Sequence, residues 1–244
     1  MKTLVIIPAR LKAMRLPGKP LLKINGLSII SHVFKKAEEA NIGDVFVATE
    51  DQEIIEDVKQ NGGQAILTSN EHKTGTDRIY EAIQKLGRSD IDYIMNLQGD
   101  EPLMNIEDIR NLNNKMIQTK SKLGTLASSI SDNKLFNNQN VVKVITKESL
   151  DTSEFPEALD FMRKTLNVSK NIYHHLGIYC YQLETLKNFV SYNQSSNEIK
   201  HKLEQLRALD NNIIINVALA KSSPIGVDTQ EDFVAIKKIM EYKT

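Results

Sequence analysis

Segments of strand character alternate with segments of helical periodicity through the first half of this chain of 244 residues. Strands are predicted at 3–7, 44–48, 64–67 and 91–97, and helices at 28–40, 51–61, 75–87 and 105–119. Regular alternation of this kind is typical of a parallel sheet that carries helices on its faces. We therefore expect an α/β fold.

The pattern changes after about residue 123, where strand-like segments become more frequent. Strands are predicted at 124–130, 141–146, 172–181 and 213–219, and helices at 183–190, 198–209 and from 229 onwards. No linker rich in Pro, Gly or Ser divides the chain, which favours one domain with an appended antiparallel layer. The domain is divided here into a first half, 1–122, and a second half, 123–244. Segments 132–140 and 147–171 show no clear pattern of secondary structure.

Composition excludes several classes of function. The chain has 31 Lys and Arg against 31 Asp and Glu, so no overall positive field would attract nucleic acid or an anionic membrane. The single cysteine, Cys180, cannot form an internal disulfide and lies in an apolar run that suits a packed core. No apolar run is long enough for a signal peptide or a membrane span, so we expect a cytoplasmic protein.

The strand predicted at 3–7 continues into a basic loop, whose cationic residues are Arg10, Lys12, Arg15 and Lys19. Ligands of open α/β sheets gather at the carboxyl ends of strands. Like charges about 4 Å apart repel by roughly 4 kcal/mol at an effective dielectric constant near 20, so these side chains would converge only around an anion. The alternative is a solvated basic surface loop.

Asp100 follows the apolar strand predicted at 91–97 and should reach the same edge of the sheet as the basic loop. Magnesium is usually held by one or two carboxylates together with substrate phosphates. Asp100 is therefore a candidate metal ligand beside a phosphate site. The alternative is an ordinary turn residue next to Gly99.

Asp228 precedes the last predicted helix and has two interpretations. Either Asp228 with Glu231 or Thr229 with Asp232 has the spacing of a capping box. On spacing alone, a role in capping is favoured over a role in metal binding.

Eleven ordered motifs resemble the 3-deoxy-manno-octulosonate cytidylyltransferase family along nearly the whole chain. They are PAR at 8–10, RLPGKP at 15–20, GLSIISH at 26–32, VAT at 47–49, TGTDR at 74–78, NLQGDEP at 96–102, VVKV at 141–144, AL at 158–159 with Phe161 and Arg163, HLGIY at 175–179, LEQLR at 203–207 and GVDT at 226–229. The resemblance implies a nucleotide-diphospho-sugar transferase fold, which is a Rossmann-like mixed sheet with a sugar-binding and dimer-forming antiparallel layer.

The implied reaction moves CMP from CTP to the anomeric hydroxyl of 3-deoxy-manno-octulosonate or a close ulosonic acid, and releases pyrophosphate. It belongs to lipopolysaccharide synthesis, and the resemblance further implies Mg²⁺ as cofactor and a homodimer. By matching motifs, the implied catalytic residues are Arg10, Lys19, Asp100 and Asp228, and the last two would hold the metal. The implied nucleotide-binding residues are Ala9, Arg10, Arg15, Lys19, Thr76 and Arg78. The implied sugar-binding residues are Gln98, Arg163, His175, Glu204 and Gln205.

Departures from the family pattern cluster on the acceptor side. Asp160, Phe161, Met162 and Arg163 replace a Tyr-Phe-Ser-Arg run, and the segment 164–172 is shorter than the family pattern. An 8-amino-ulosonic acid or a sialic acid is therefore an alternative acceptor, and a non-catalytic nucleotide-binding relic is an alternative from another class. Taken alone, His175 would be a core histidine bonded to a backbone carbonyl, and Glu204 and Gln205 would lie on a solvated helix face.

Overall fold

A mixed β-sheet of nine strands forms the centre of the computed structural model, which describes residues 1–12, 15–130, 136–164, 170–224 and 226–242. These strands are β1 (Thr3–Ala9), β4 (Gly43–Thr49), β5 (Ala65–Leu67), β6 (Tyr93–Asn96), β7 (Leu123–Ser128), β8 (Lys143–Thr146), β9 (Ala158–Met162), β10 (Ile172–Gln182) and β11 (Asn216–Leu219). Strands β2 (Lys23–Ile24) and β3 (Leu27–Ser28) form a separate hairpin after a 3₁₀ helix (Lys19–Leu21).

The helices pack around this sheet. They are α1 (Ile29–Ala40), α2 (Gln52–Gln60), α3 (Gly75–Leu86), α4 (Ile106–Thr119), α5 (Leu183–Ser191), α6 (Ser196–His201), α7 (Leu206–Asp210) and α8 (Gln230–Glu241). Across the described residues, no helix combines the length and the apolar character needed to cross a bilayer.

The sheet order is β11-β7-β10-β6-β1-β4-β5, and β8 and β9 extend it from the start of β10. Strands β5, β4, β1 and β6 are parallel, as the alternating pattern of the first half predicts. Strand β10 runs antiparallel to β6, β7 and β8, and β9 runs antiparallel to β8. Strands from both halves of the chain therefore share one sheet, and the antiparallel strands extend it.

Two apolar cores lie on the two faces of the sheet. Along β1, Val5 and Ile7 enter one core, whereas Leu4 and Ile6 enter the other. A strand covered on both faces explains the uninterrupted apolar run at the start of the chain. Cys180 is fully buried in the first core, which confirms that it is a packed thiol.

A third, smaller cluster connects the last helix to the segment after the basic loop. Ile24 and Ile29 pack with Val227 and with Ile236 of α8, and all four side chains are buried. The cluster fixes the backbone on both sides of the cavities described below, because Val227 adjoins Asp228 and Ile24 follows the 3₁₀ helix that begins at Lys19.

The sequence patterns miss three features. The hairpin β2–β3 and the strand β9 were not predicted; Leu159 and Asp160 of β9 are both exposed, which removes the alternation that marks a half-buried strand. The single helix predicted at 198–209 is wrong. Lys202 adopts a left-handed conformation with φ of 54° and ends α6, so a turn at 202–205 separates α6 from α7.

Candidate active site

Two cavities adjoin at the carboxyl ends of β1 and β6. The smaller has a volume of about 370 Å³ and lies over the basic loop, and the larger has a volume of about 670 Å³ and lies beside β10. Four residues line both cavities, namely Arg15, Gln98, Asp100 and Asp228. Two ligands, one bound in each cavity, would therefore approach each other at these four side chains.

The basic loop forms one wall of the smaller cavity. Of the residues predicted to bind nucleotide, Ala9, Arg10, Arg15, Lys19 and Arg78 line this cavity, and Lys12 does so as well. The backbone N–H of Leu11 donates to Asp51 Oδ2 at 2.7 Å, which fixes the loop to the start of α2. The charges thus collect at one place, as the anion-site interpretation requires.

The start of α3 forms the opposite wall of the smaller cavity. Thr74 is the N-cap of this helix and accepts a hydrogen bond from the backbone N–H of Asp77. Gly75 lies against Pro8 at the end of β1, where a Cβ atom would be 3.5 Å from Pro8 Cγ. The helix dipole adds a partial positive charge to a cavity already lined by cations.

Two predicted nucleotide residues differ from the others: Arg78 lines the smaller cavity but has its own acidic partner, and Thr76 lies outside that cavity. The Arg78 guanidinium is buried, pairs with Glu50 and donates to Thr68 Oγ1 at 2.6 Å, so its charge is already balanced within the protein. Thr76 lines the larger cavity together with Glu204 and Tyr181, and does not line the smaller one.

Lys19 connects the residues at the junction of the cavities. Its Nζ donates to Asp100 Oδ2 at 2.5 Å, to the Val227 carbonyl at 2.9 Å and to Asp228 Oδ1 at 3.3 Å. Arg15 pairs with the other Asp228 oxygen at 2.9 Å. Burial lowers the pKa of Lys19, but Asp100 and Asp228 outweigh this effect and raise that pKa overall.

Gly99 allows this arrangement to approach β1 closely. A Cβ atom at residue 99 would lie 3.0 Å from Ile30 Cδ1 and 3.1 Å from the Pro8 carbonyl oxygen. A side chain there would push the Asp100 backbone away from the basic loop. The glycine in the motif at 96–102 is thus explained by close packing.

Glu101 is an acid with a buried carboxyl oxygen that the sequence analysis did not single out. Its Oε2 atom has no hydrogen-bond partner among the described residues, and the side chain lines the larger cavity. Burial, followed by the negative charges of Asp100 and Asp228, raises the pKa of Glu101 to about 8. The carboxyl group is therefore largely neutral at pH 7.

All five residues predicted to bind sugar line the larger cavity: Gln98, Arg163, His175, Glu204 and Gln205. His175 Nε2 lies 3.0 Å from Thr125 Oγ1, and the Phe161 ring packs edge-on against the imidazole. Burial, with a smaller contribution from His174, lowers the pKa of His175 to about 3. This imidazole is neutral at physiological pH. Its hydrogen-bond partner is the Thr125 hydroxyl group, and not the backbone carbonyl that the sequence alone suggested.

The turn at 202–205 explains why Glu204 and Gln205 reach the cavity. The expectation that they would lie on a solvated helix face is wrong, because Gln205 is buried and burial raises the pKa of Glu204. A bidentate ion pair supports the turn from both sides, since Arg207 on α7 donates to Glu198 on α6 at 2.7 and 2.8 Å. The Arg207 guanidinium also lies over the Phe189 ring.

Comparisons with known proteins give the family. A family model described as cytidylyltransferase matches residues 4–219. The 3-deoxy-manno-octulosonate cytidylyltransferase of Afipia carboxidovorans is 44% identical over 241 residues, which cover 98% of this chain and 96% of that protein. The corresponding protein of Thermodesulfovibrio yellowstonii is 41% identical and covers 98% of each chain. The chain belongs to the 3-deoxy-manno-octulosonate cytidylyltransferase family.

Solved structures agree with the fold of this family. The structure of a CMP:2-keto-3-deoxy-manno-octonic acid synthetase complexed with CTP has a TM-score of 0.89 at 33% identity and covers the whole of both chains. A UDP-glucose pyrophosphorylase has a TM-score of 0.75 at 12% identity, which shows the shared fold alone. The nucleotide-diphospho-sugar transferase fold expected from the motifs is confirmed.

The sequence analysis assigned no role to several side chains around this cytidylyltransferase site. Glu50, Thr125, Glu198 and Arg207 meet their partners only in the fold. Glu101 and Arg207 lie in two of the quoted motifs, but their environment becomes clear only in the structure. The shortened segment 164–172 includes residues 165–169, which lie outside the described residues. Arg163 at its start donates to the Asn140 carbonyl at 3.3 Å.

Proposed function

We propose that this chain transfers the cytidylyl group of CTP to the anomeric hydroxyl of 3-deoxy-manno-octulosonate and releases pyrophosphate. The observation that carries the proposal is the junction of two cavities, one over the basic loop and one lined by the five predicted sugar-binding residues, at Asp100 and Asp228. A nucleotide in the smaller cavity and a sugar acid in the larger would bring the reacting atoms together there. Proximity of this kind removes much of the entropic barrier of a two-substrate reaction.

The smaller cavity suits the triphosphate. Charge that develops on phosphate oxygens during displacement is stabilised by fixed positive groups, and Arg10, Arg15 and Lys19 supply them. Lys19 is held in place by Asp100 and Asp228 before any substrate arrives. Its ammonium group is therefore pre-organised and costs little rearrangement.

The carboxylates of Asp100 and Asp228 fit a magnesium ion. Both reach the same Lys19 nitrogen, so their oxygens already face one point. Magnesium is usually held by one or two carboxylates together with substrate phosphates, so two aspartates beside a triphosphate would suffice. When bound, the ion would add positive charge at the phosphates and lower the pKa of the acceptor hydroxyl.

The larger cavity suits a polar acceptor that is read by hydrogen bonds. His175 is neutral and fixed by Thr125, and Gln205 is buried in the wall. The Oε1 atom of Glu204 is buried and has no hydrogen-bond partner among the described residues. A hydroxyl-rich sugar would satisfy such groups, whereas an apolar ligand would leave them unpaired at a cost of about 1–3 kcal/mol each.

We further propose a homodimer that works in the cytoplasm in lipopolysaccharide synthesis, the setting implied by the family resemblance. Strand β9 supports the dimer, because it pairs with β8 on one side and, among the described residues, has no strand on the other side after Ala158, whose N–H donates to the Ile215 carbonyl at 2.7 Å. It also exposes Leu159, whose side chain is 56% accessible. An apolar edge strand of this kind is stabilised when a second copy covers it.

The test is pyrophosphate release from CTP and Mg²⁺ with a panel of acceptors, measured for the wild type and for Asp100→Asn. We expect turnover with 3-deoxy-manno-octulosonate and little or none in the variant. A clear preference for an 8-amino-ulosonic acid or a sialic acid would replace the acceptor assignment. Absence of pyrophosphate release with every acceptor would contradict the enzyme assignment.

A further inference from the structure

Asp108 is a fully buried acid on α4, and it is not among the described residues that line either cavity. Its Oδ1 atom accepts from the Lys221 N–H at 2.7 Å. Its Oδ2 atom accepts from the Ser222 N–H at 3.2 Å and from the Ser222 hydroxyl at 2.7 Å. Burying a carboxyl group is costly unless its oxygens are hydrogen-bonded, and here all three donors belong to one short segment after β11.

The segment that Asp108 holds leads from β11 to Asp228. It begins at Ala220, whose N–H donates to the Ala127 carbonyl of β7 at 2.8 Å. At its other end the Val227 N–H donates to the Asp100 carbonyl at 2.9 Å. The position of Asp228 is therefore determined by a contact beside it and by the Asp108 contacts near the start of the segment.

The helix that carries Asp108 follows the motif that carries Asp100. The Met104 N–H donates to the Glu101 carbonyl at 3.1 Å, and Asp108 lies in the first turn of α4 soon afterwards. Gly226, on the segment after β11, lies against the same motif, where a Cβ atom would be 3.5 Å from Glu101 Cγ. Asp108 thus connects the two parts of the chain that carry the carboxylates at the cavity junction.

We propose that Asp108 is a positioning residue that sets the separation of the Asp100 and Asp228 carboxylates. The inference rests on the proposed function and concerns the magnesium ion that this pair would hold. Magnesium demands a near-ideal octahedral arrangement with ligand oxygens at about 2.0–2.1 Å, so a small displacement of either carboxylate weakens its binding. Groups that orient metal ligands without touching the metal typically change metal affinity or activity by roughly 10- to 100-fold.

The experiment measures CTP binding by calorimetry, once with Mg²⁺ and once with EDTA. Mg²⁺ should raise the CTP affinity of the wild type, and Asp108→Asn should reduce this gain by at least roughly tenfold. The amide offers one acceptor oxygen where the carboxylate offers two, so contacts to Ser222 are lost. The CTP affinity in EDTA should stay within about twofold of the wild type, because Arg10 and Arg15 lie outside the altered segment.

Asn113→Ala is the matched control. Asn113 is also a buried polar residue of α4, and it accepts from Thr3 Oγ1 at 2.6 Å at the start of β1. This variant should have a lower melting temperature and keep the wild-type gain from Mg²⁺. If Asp108→Asn behaves in the same way, Asp108 is purely structural and the inference is overturned. A wild type whose CTP affinity is the same with Mg²⁺ and with EDTA would overturn it as well.

Ser222→Ala is the second variant, for the case in which Asp108→Asn does not fold. It removes the hydroxyl contact and keeps both backbone N–H groups, so it should reduce the gain from Mg²⁺ by roughly threefold. An unchanged gain in Ser222→Ala would overturn the inference. Wild-type protein that releases no pyrophosphate with any acceptor overturns the proposed function itself, whereas the binding measurements still decide the role of Asp108, which separates the two failures.

Discussion

Thr229 and Asp232 cap α8 reciprocally: the Thr229 hydroxyl accepts from the Asp232 N–H at 3.2 Å, and the Asp232 carboxylate accepts from the Thr229 N–H at 2.9 Å. Of the two capping boxes that the spacing allowed, the structure contains this one. The Asp228 carboxylate lies outside the cap and contacts Lys19 and Arg15. The Asp228 side chain therefore takes no part in this capping box, and its role in metal binding stays a prediction.

The first prediction separates those roles. Asp228→Asn should melt near the wild-type temperature but lose activity by roughly 10²- to 10³-fold and require more Mg²⁺, because it removes charge at the cavity junction. Thr229→Ala should lose about 1 kcal/mol of stability and keep most activity at low temperature. Thermal melts and Mg²⁺ titrations of activity measure both. An Asp228→Asn variant with the wild-type Mg²⁺ dependence would contradict the metal role.

Asp100 is the subject of the second prediction. Its side chain is partly exposed and contributes little to packing, so Asp100→Ala should fold normally. Turnover should fall by at least roughly 10²- to 10³-fold, since a fixed electrostatic contact at the phosphates is lost. Asp151→Ala, at an exposed turn, is the control. Retention of more than about a tenth of the activity at saturating Mg²⁺ would rule out a catalytic role for Asp100.

The third prediction concerns the base of the nucleotide. The smaller cavity has a volume of about 370 Å³ and is lined by Ala9 and Arg10, where the family resemblance implies that a pyrimidine lies against the loop backbone. A purine would need a wider slot, so kcat/KM for CTP should exceed that for ATP by roughly a hundredfold. Pyrophosphate release at matched nucleotide and Mg²⁺ concentrations measures the ratio. Comparable values for CTP and ATP would contradict a pyrimidine site.

The fourth prediction tests the ion pair that supports the turn at 202–205. Arg207→Met leaves Glu198 as a buried unpaired charge and should cost about 3–5 kcal/mol, whereas Glu198→Leu combined with Arg207→Met should recover part of that loss. The variants should also raise the KM for the acceptor, because the turn carries Glu204 and Gln205 to the cavity. Chemical denaturation measures the change in stability, and steady-state kinetics measure the KM for the acceptor. Equal stability of the single and double variants would show that the pair is not coupled.

Hydrophobic periodicity in the sequence predicted the helices and strands whose buried residues recur at regular spacing. It failed where contacts between residues distant in sequence determine the structure. The apolar run of β1 follows directly from burial on both faces. The break between α6 and α7 is invisible to periodicity because Ile199, Leu203 and Leu206 keep a helical spacing through it, although Lys202 turns the backbone. The same limit applies to the site. Candidate residues that come directly after a strand, such as Arg10 and Asp100, could be predicted from the sequence. The partners of Arg78 and Asp108 could not, because they lie on other elements of the fold.

The last prediction uses the neutral state of His175. Its native pKa is about 3, and an unfolded histidine titrates near 6.5, so the unfolded state binds more protons between these pH values. The free energy of unfolding should therefore fall as the pH decreases from about 6.5 to 3, by up to about 1.4 kcal/mol per pH unit from this group. Above about pH 6.5 the group makes no pH-dependent contribution.

Urea denaturation of the wild type and of His175→Gln at pH 7.5, 5.5 and 4 measures this contribution, and His201→Gln, at an exposed histidine of α6, is the matched control. Glutamine can keep a hydrogen bond to Thr125 without a titrating group. The stability difference between the wild type and His175→Gln should shift in favour of the variant by roughly 2–3 kcal/mol between pH 7.5 and 4. A difference that stays constant over this range would mean that His175 titrates alike in the folded and unfolded chains.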